Sequence, residues 1–184
     1  MWHDVFTFQI ISTKRKTAIF QIKNHLHNNL HDKDLIEIIV GGHYRSGEKI
    51  EDGVREIKEE TGLDVSYKDL IDLGIRQTCV TINDQYIIRE FQHIYLLPLN
   101  KELDEYIGFD NDEISDIIEF DIDELIDLLI NNKKEIYGNT KNGNVKITLD
   151  NFVKNYLEGD KLYLRLLIAA KRYINGEDIK LIMW

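Results

Sequence analysis

The sequence predicts a single α+β domain with a helical appendage at its C-terminal end. Three observations carry this reading. Residues 1–45 are patterned mostly as strands, a charged helix occupies residues 50–61, and a Leu-rich segment at largely helical spacing fills residues 161–174. A chain of 184 residues suits one domain, and a 43% hydrophobic content supplies a core, which excludes a disordered chain.

The elements follow in order. Residues 5–11 place Phe6, Phe8 and Ile10 on one face and Val5, Thr7, Gln9 and Ile11 on the other, the pattern of a half-buried strand. A polar turn at 12–16 and a second strand at 17–22 make a hairpin. Residues 24–34, rich in Asn and His, read as a loop. A third strand runs over 35–40 and ends at Gly41-Gly42. The helix at 50–61 stops at Gly62 as a left-handed cap. Strands at 71–82 and 86–97 meet at a turn around Asn83-Asp84, and Pro98 closes the second. An acidic loop at 100–112 precedes a short strand at 115–120. Asp121 or Asp123 then caps a helix through Leu129. Residues 141–146 read as a Gly/Asn turn, residues 149–157 and 161–174 as helices, and residues 179–184 as a short apolar tail. The division is a main domain over 1–147 and a helical extension over 148–184 packed on it.

Charge and cysteine content exclude several classes of function. The net charge of −10 argues against a nucleic-acid binder, which needs a basic face to displace counterions. It is compatible with a small phosphorylated substrate held through metal ions, with acidic side chains as ligands. One cysteine, Cys79, cannot form an internal disulfide, so a reducing cytoplasm fits best. Apolar stretches are broken by charge well short of the roughly 20 residues a bilayer requires. Nothing resembles a targeting segment.

The helix at 50–61 carries the chemistry. At about 100° per residue, with Val54 as origin, Val54, Ile57 and Thr61 fall at roughly 0°, 300° and 340°. Glu56, Glu59 and Glu60 fall on the opposite side, at roughly 200°, 140° and 240°. One face therefore packs on a sheet and the other projects three carboxylates. Like charges at i,i+4 destabilise a helix, and Glu59 and Glu60 lie in the last turn, where the helix dipole disfavours anions. A hard divalent cation removes that cost, and Mg²⁺ prefers oxygen ligands and bridges carboxylates to phosphates. The competing reading is a solvated acidic face. Gly53, inside the same stretch, marks either a close approach to the sheet or a later helix start.

The wider pattern resembles the Nudix box, Gly-x5-Glu-x7-Arg-Glu-apolar-x-Glu-Glu-x-Gly-apolar. Gly42 and Glu48 match the first half, and Arg55, Glu56, Ile57, Glu59, Glu60, Gly62 and Leu63 match the second. One feature departs: six residues rather than seven separate Glu48 from Arg55. The resemblance implies an α/β/α sandwich with a mixed sheet and a C-terminal helical extension. It implies Mg²⁺ or Mn²⁺ held by Glu56, Glu59 and Glu60, with the backbone carbonyl near Gly41 joining the shell and Arg55 orienting the carboxylates. The implied reaction is metal-dependent hydrolysis of a diphosphate linkage in a nucleoside diphosphate derivative or a related small molecule.

Trp2-His3, Gly41-Gly42-His43, Arg89-Glu90-Phe91-Gln92-His93 and the C-terminal helical segment resemble a subgroup, the isopentenyl-diphosphate-isomerase-like Nudix proteins. That likeness raises isomerisation of isopentenyl diphosphate as a rival reaction. The isomerases place a catalytic cysteine directly before the Gly-His pair, where this chain has Gly41, and they degrade the glutamate set that is intact here. Both features favour hydrolysis. A non-catalytic nucleotide-binding regulator on the same fold is the third reading, and the intact glutamates argue against it.

Outside the box, the resemblance makes Glu90 a metal-binding, catalytic glutamate, against an ordinary edge or surface glutamate, and Glu113 a general base or water-orienting residue, with Asp110 and Asp112 as rival candidates in the same acidic loop. Arg89, beside Glu90, is the candidate phosphate contact. Arg45 and Arg76 read as surface salt bridges. His25, His27 and His31 have metal-like spacing but sit in a polar loop. The Leu-rich C-terminal helix caps the sandwich, forms the interface of a homodimer or walls the substrate pocket, and its apolar residues favour core over interface.

Overall fold

The computed structural model describes residues 2–23, 35–38, 40–83, 86–106 and 114–182. Among these, nine strands form one mixed sheet: β1 (His3–Ser12), β2 (Thr17–Lys23), β3 (Ile36–Glu37), β4 (Val40–His43), β5 (Ile71–Asn83), β6 (Tyr86–Pro98), β7 (Ile114–Asp121), β8 (Ile136–Thr140) and β9 (Gly143–Ile147). The order is β5-β6-β1-β2-β7-β8-β9, with β3 added to β2 and β4 added to β1. The α-helices are α1 (Arg55–Thr61), α2 (Ile122–Leu129), α3 (Lys154–Leu157) and α4 (Leu162–Ile174).

The first strand sits deeper than its alternation predicts. Phe6, Phe8 and Ile10 enter one core with Ile57 and Leu63 of the α1 segment. Val5, Thr7, Gln9 and Ile11, expected on a mixed and half-exposed face, are buried as well. Position explains this, because β1 is central. It runs parallel to β6, from His3 opposite Glu90 to Ile11 opposite Pro98. Its other edge is shared between β2 near the C-terminal end and β4 near the N-terminal end. Gln9 offsets its burial by donating from Nε2 to the carbonyls of Ile10 and Ile19.

The expected third strand is two strands. Ile36–Glu37 pairs with β2, and Val40–His43 pairs with β1. The chain changes partner between them, so Gly41 and Gly42 lie inside β4 and do not end a strand. The helix expected at 50–61 begins as a 3-10 turn at Ile50–Val54 and becomes α-helical at Arg55. Gly62 closes it with φ 70°, the left-handed conformation glycine adopts at least cost. Both readings of Gly53 hold: the α-helix starts after it, and a Cβ there would stand 2.6 Å from the Phe6 ring.

The second core lies on the other face of the sheet, where α2 and α4 pack on Ile11, Phe20, Ile118 and Phe120. Asp121 caps α2 by accepting from the backbone N–H of Asp123 and Glu124. Leu162, Leu166 and Leu167 of α4 belong to this core. Residues 141–146, expected as a turn, contain only the turn at Lys141-Asn142, followed by most of β9. Its hairpin with β8 extends the sheet beyond β7. The expected helix at 149–157 is a 3-10 turn, Leu149–Asn151, then the short α3. Among the described residues no helix is long and apolar enough to cross a membrane.

Candidate active site

The box folds as strand, loop and short helix on the face of β1 that carries Phe6 and Phe8. Ile57 and Thr61 are fully buried under it, as the helical projection predicts, and Glu59 is exposed. Glu56 differs from that projection in being buried. The cause is β4 rather than the sheet face beneath the helix. A Cβ built on Gly42 would lie 2.3 Å from Glu56 Oε2. The carboxylate therefore rests on glycine backbone that no side chain covers. Burial pushes its pKa up from the ordinary carboxylate value, against the pull of Arg55.

Arg55 is the hub of the carboxylates. Its Nε donates to Glu48 Oε1 at 3.0 Å, its Nη2 lies 2.6 Å from Glu56 Oε1, and its Nη1 donates to Glu59 Oε2 at 2.5 Å. Arg45 reaches the other oxygen of Glu59 at 3.1 Å, and its backbone N–H donates to Glu48 Oε2 at 2.7 Å. Glu48 is thus a strut for Arg55, and these two hydrogen bonds hold its pKa below the ordinary value. The one-residue deletion falls between two residues that still meet.

The residue chemistry fits Mg²⁺: three carboxylates at i, i+3 and i+4 of one helix, beside a strand whose Gly41 carbonyl could join them. The bare Gly42 surface against Glu56 leaves that carboxylate close to the β4 backbone. Among the described residues, no three His, Cys, Asp or Glu side chains converge on a point that could hold an ion. Glu48, Glu56 and Glu59 are gathered around the Arg55 guanidinium.

On the far side of β4 lies a cavity of about 290 Å³. Gly41 and His43, the neighbours of Gly42, line it, as do Glu90 and Gln92 of β6 and Arg76 and Thr78 of β5. Cross-strand register explains the grouping: Thr78 faces Glu90 and Arg76 faces Gln92. Tyr156 of α3 lines it as well, as does the buried Glu37. Glu37 is also paired with Lys23 at 2.8 Å. Burial raises the Tyr156 phenol far above its ordinary pKa, so it stays protonated.

Residues 5–139 match the NUDIX domain family. The chain belongs to the Nudix family. An uncharacterized Nudix hydrolase of Clostridium acetobutylicum is 36% identical over 107 residues, 57% of this chain and 50% of that protein. The chain thus spans about half the length of the curated relative it matches. A MutT NUDIX hydrolase from Burkholderia pseudomallei is 16% identical with a TM-score of 0.49, over 67% of this chain and 85% of that one. RenU, a Nudix hydrolase from M. smegmatis, is 13% identical with a TM-score of 0.45, over 69% and 76%.

The structure brings Arg55, Glu56 and Glu59 of the Nudix box together, with Glu60 on the same helix. Glu90 lies apart from that cluster. It is on the cavity wall, accepting from Gln92 Nε2 at 2.8 Å, with its Oε1 3.7 Å from His43 Nε2. Glu113, Asp110, Asp112, His25, His27, His31 and Trp184 lie outside the described residues. Arg89, expected beside the substrate, alternates to the sheet face opposite Glu90 and pairs across to Cys79. Arg76, expected as a surface salt bridge, does pair with an aspartate, but from inside the cavity with a side chain only 10% exposed. The sequence reading missed Lys23, Glu37, Gln92 and Tyr156. Strand alternation from Glu90 signals Gln92; the other three are brought in by tertiary packing.

Proposed function

We propose that this Nudix chain is a Mg²⁺- or Mn²⁺-dependent hydrolase of a diphosphate linkage in a nucleoside diphosphate derivative or a related small molecule. The observation that carries this is the Arg55-centred carboxylate cluster set against the bare backbone of Gly42. A bound divalent ion would lower the pKa of a water and neutralise charge on the phosphate oxygens.

The chain's own residues divide the remaining work. Glu56, Glu59, Glu60 and the Gly41 carbonyl would hold the metal. Arg55 orients the carboxylates, and Glu48 braces Arg55. Glu90, on the cavity wall, accepts a proton or contributes a further ligand, and Glu113 is the second candidate for general base. Residues 1–147 form the Nudix domain and residues 148–184 its extension, from which Val153, Asn155 and Tyr156 line the cavity. The charge of −10 and the lone cysteine support a small-molecule substrate and a cytoplasmic setting, with no nucleic acid or membrane as partner.

Isomerisation is less well supported. The only thiol, Cys79, is exposed on β5 and alternates to the face opposite Thr78 and Glu90. The test is a screen of diphosphate compounds, isopentenyl diphosphate included, for metal-dependent release of phosphate or nucleotide. Hydrolysis of at least one compound is expected. Rearrangement of isopentenyl diphosphate without hydrolysis would replace this reading with the isomerase. Ligand binding without any turnover would replace it with the regulator.

A further inference from the structure

Arg76 is held in the cavity in a way that a substrate could take over. Its Nε and Nη2 donate to the two oxygens of Asp160 at 2.7 and 3.0 Å, and its Nη1 donates to Gln92 Oε1 at 2.7 Å. Gln92 is in turn tied to Glu90. The guanidinium is thereby oriented from β6, independently of Asp160. A phosphate presents the same two-oxygen edge as a carboxylate, and a guanidinium fork recognises both.

Asp160 comes from elsewhere. It lies beyond the residues that match the family, in the turn between α3 and α4. That turn is tight: Gly159 has φ 62° and Lys161 φ 55°, a left-handed conformation that disfavours lysine. Asp160 also has a second partner, Arg165 of α4, at 3.2 Å. It can therefore release Arg76 without being left an unpaired anion. The cavity extends from Arg76 to Gly41 and His43, which flank the glycine packed on Glu56.

We propose that Arg76 binds a phosphate of the substrate, and that Asp160 occupies this site in the free protein as an internal competitor that substrate displaces. The inference rests on the diphosphate reading above and adds to it a residue outside the box. The Arg76 fork takes that phosphate within the cavity that Gly41 and His43 also line. Asp160 moves its ion pair to Arg165 as the phosphate arrives. The Asp160 turn thus sets how tightly a diphosphate is held.

The experiment measures binding of methylenediphosphonate, a non-hydrolysable diphosphate, by calorimetry in Mg²⁺, so it does not depend on turnover. Asp160→Asn removes the competing charge and should tighten binding threefold or more. Arg76→Met should weaken it tenfold or more, and Arg76→Lys, which keeps the charge and loses the fork, should fall between Arg76→Met and wild type. In the double variant Asp160→Asn should have no further effect, because its influence passes through Arg76. Thermal melts establish that each variant is folded. Where a substrate is turned over, the Arg76 losses should appear more in KM than in kcat. Equal or weaker binding by Asp160→Asn, wild-type binding by Arg76→Met, or no binding by any form would overturn the proposal. Failure of the hydrolase reading shows differently, as an absence of turnover by the wild-type protein across the whole panel.

Discussion

Glu56 rests against the backbone of Gly42 with no room for a β-carbon between them: one built there would stand 2.3 Å from Oε2 and 2.7 Å from Oε1. The contact fixes where a buried carboxylate sits relative to the strand beside it. Gly42→Ala should therefore displace Glu56 without disturbing the sheet. The expected cost is about 1–3 kcal/mol of stability, typical of overpacking. Metal-dependent turnover should fall at least tenfold. A melt and a rate measurement on one preparation check both.

Arg55 spans Glu48, Glu56 and Glu59 with a planar fork that lysine cannot reproduce. Arg55→Lys keeps the charge and loses the simultaneous contacts. Activity should fall about 10–100-fold, the usual range for residues that orient metal ligands. Glu48→Gln should give a smaller loss in the same direction, because it acts through Arg55. A Glu48→Gln loss as large as that of Arg55→Lys would show that Glu48 has a separate role.

The Arg76 guanidinium beside Asp160 holds the aspartate pKa below its ordinary value of 3.8. A carboxylate with a depressed folded pKa contributes stability that is present above the unfolded value. That contribution is lost as pH falls through the lower folded value. The difference in Tm between wild type and Asp160→Asn should thus be constant above about pH 5 and shrink as pH falls below about 4. Melts from pH 2.5 to 7 test it, and a difference that grows toward acid would contradict the pairing.

Asp121 accepts from two backbone N–H groups at the start of α2, far from the box in sequence. Asp121→Ala should cost about 1 kcal/mol of stability, the typical worth of an N-cap. Turnover at a temperature well below the melt should be unaffected.

The sequence made the local parts of this protein legible. The carboxylate helix declares itself through the spacing of Val54, Ile57 and Thr61, and Gly62 marks its end by a left-handed cap. Asp121 marks the start of α2 in the same local way. What stayed hidden depends on residues distant in the chain. The split between β3 and β4 follows from which neighbour each segment finds, and nothing between Ile36 and Val40 announces it. The β8–β9 hairpin is hidden by Asn142, Gly143 and Asn144, which read as turn. Gly138 is in a strand because a Cβ there would meet Ile118 and Phe120 of β7. Arg76 and Arg89 look alike in sequence. Only the register of β5 on β6 assigns Arg76 to the cavity and Arg89 to the opposite face.

The most direct measurement compares one hydrolysed diphosphate substrate under three conditions: wild type in Mg²⁺, wild type in EDTA, and Glu59→Gln/Glu60→Gln in Mg²⁺. The carboxylate face is held to bind the metal that hydrolysis requires. Turnover should therefore occur in the first condition and fall by at least two orders of magnitude in the other two, with the variant still folded. A folded variant that hydrolyses at the wild-type rate would contradict the account.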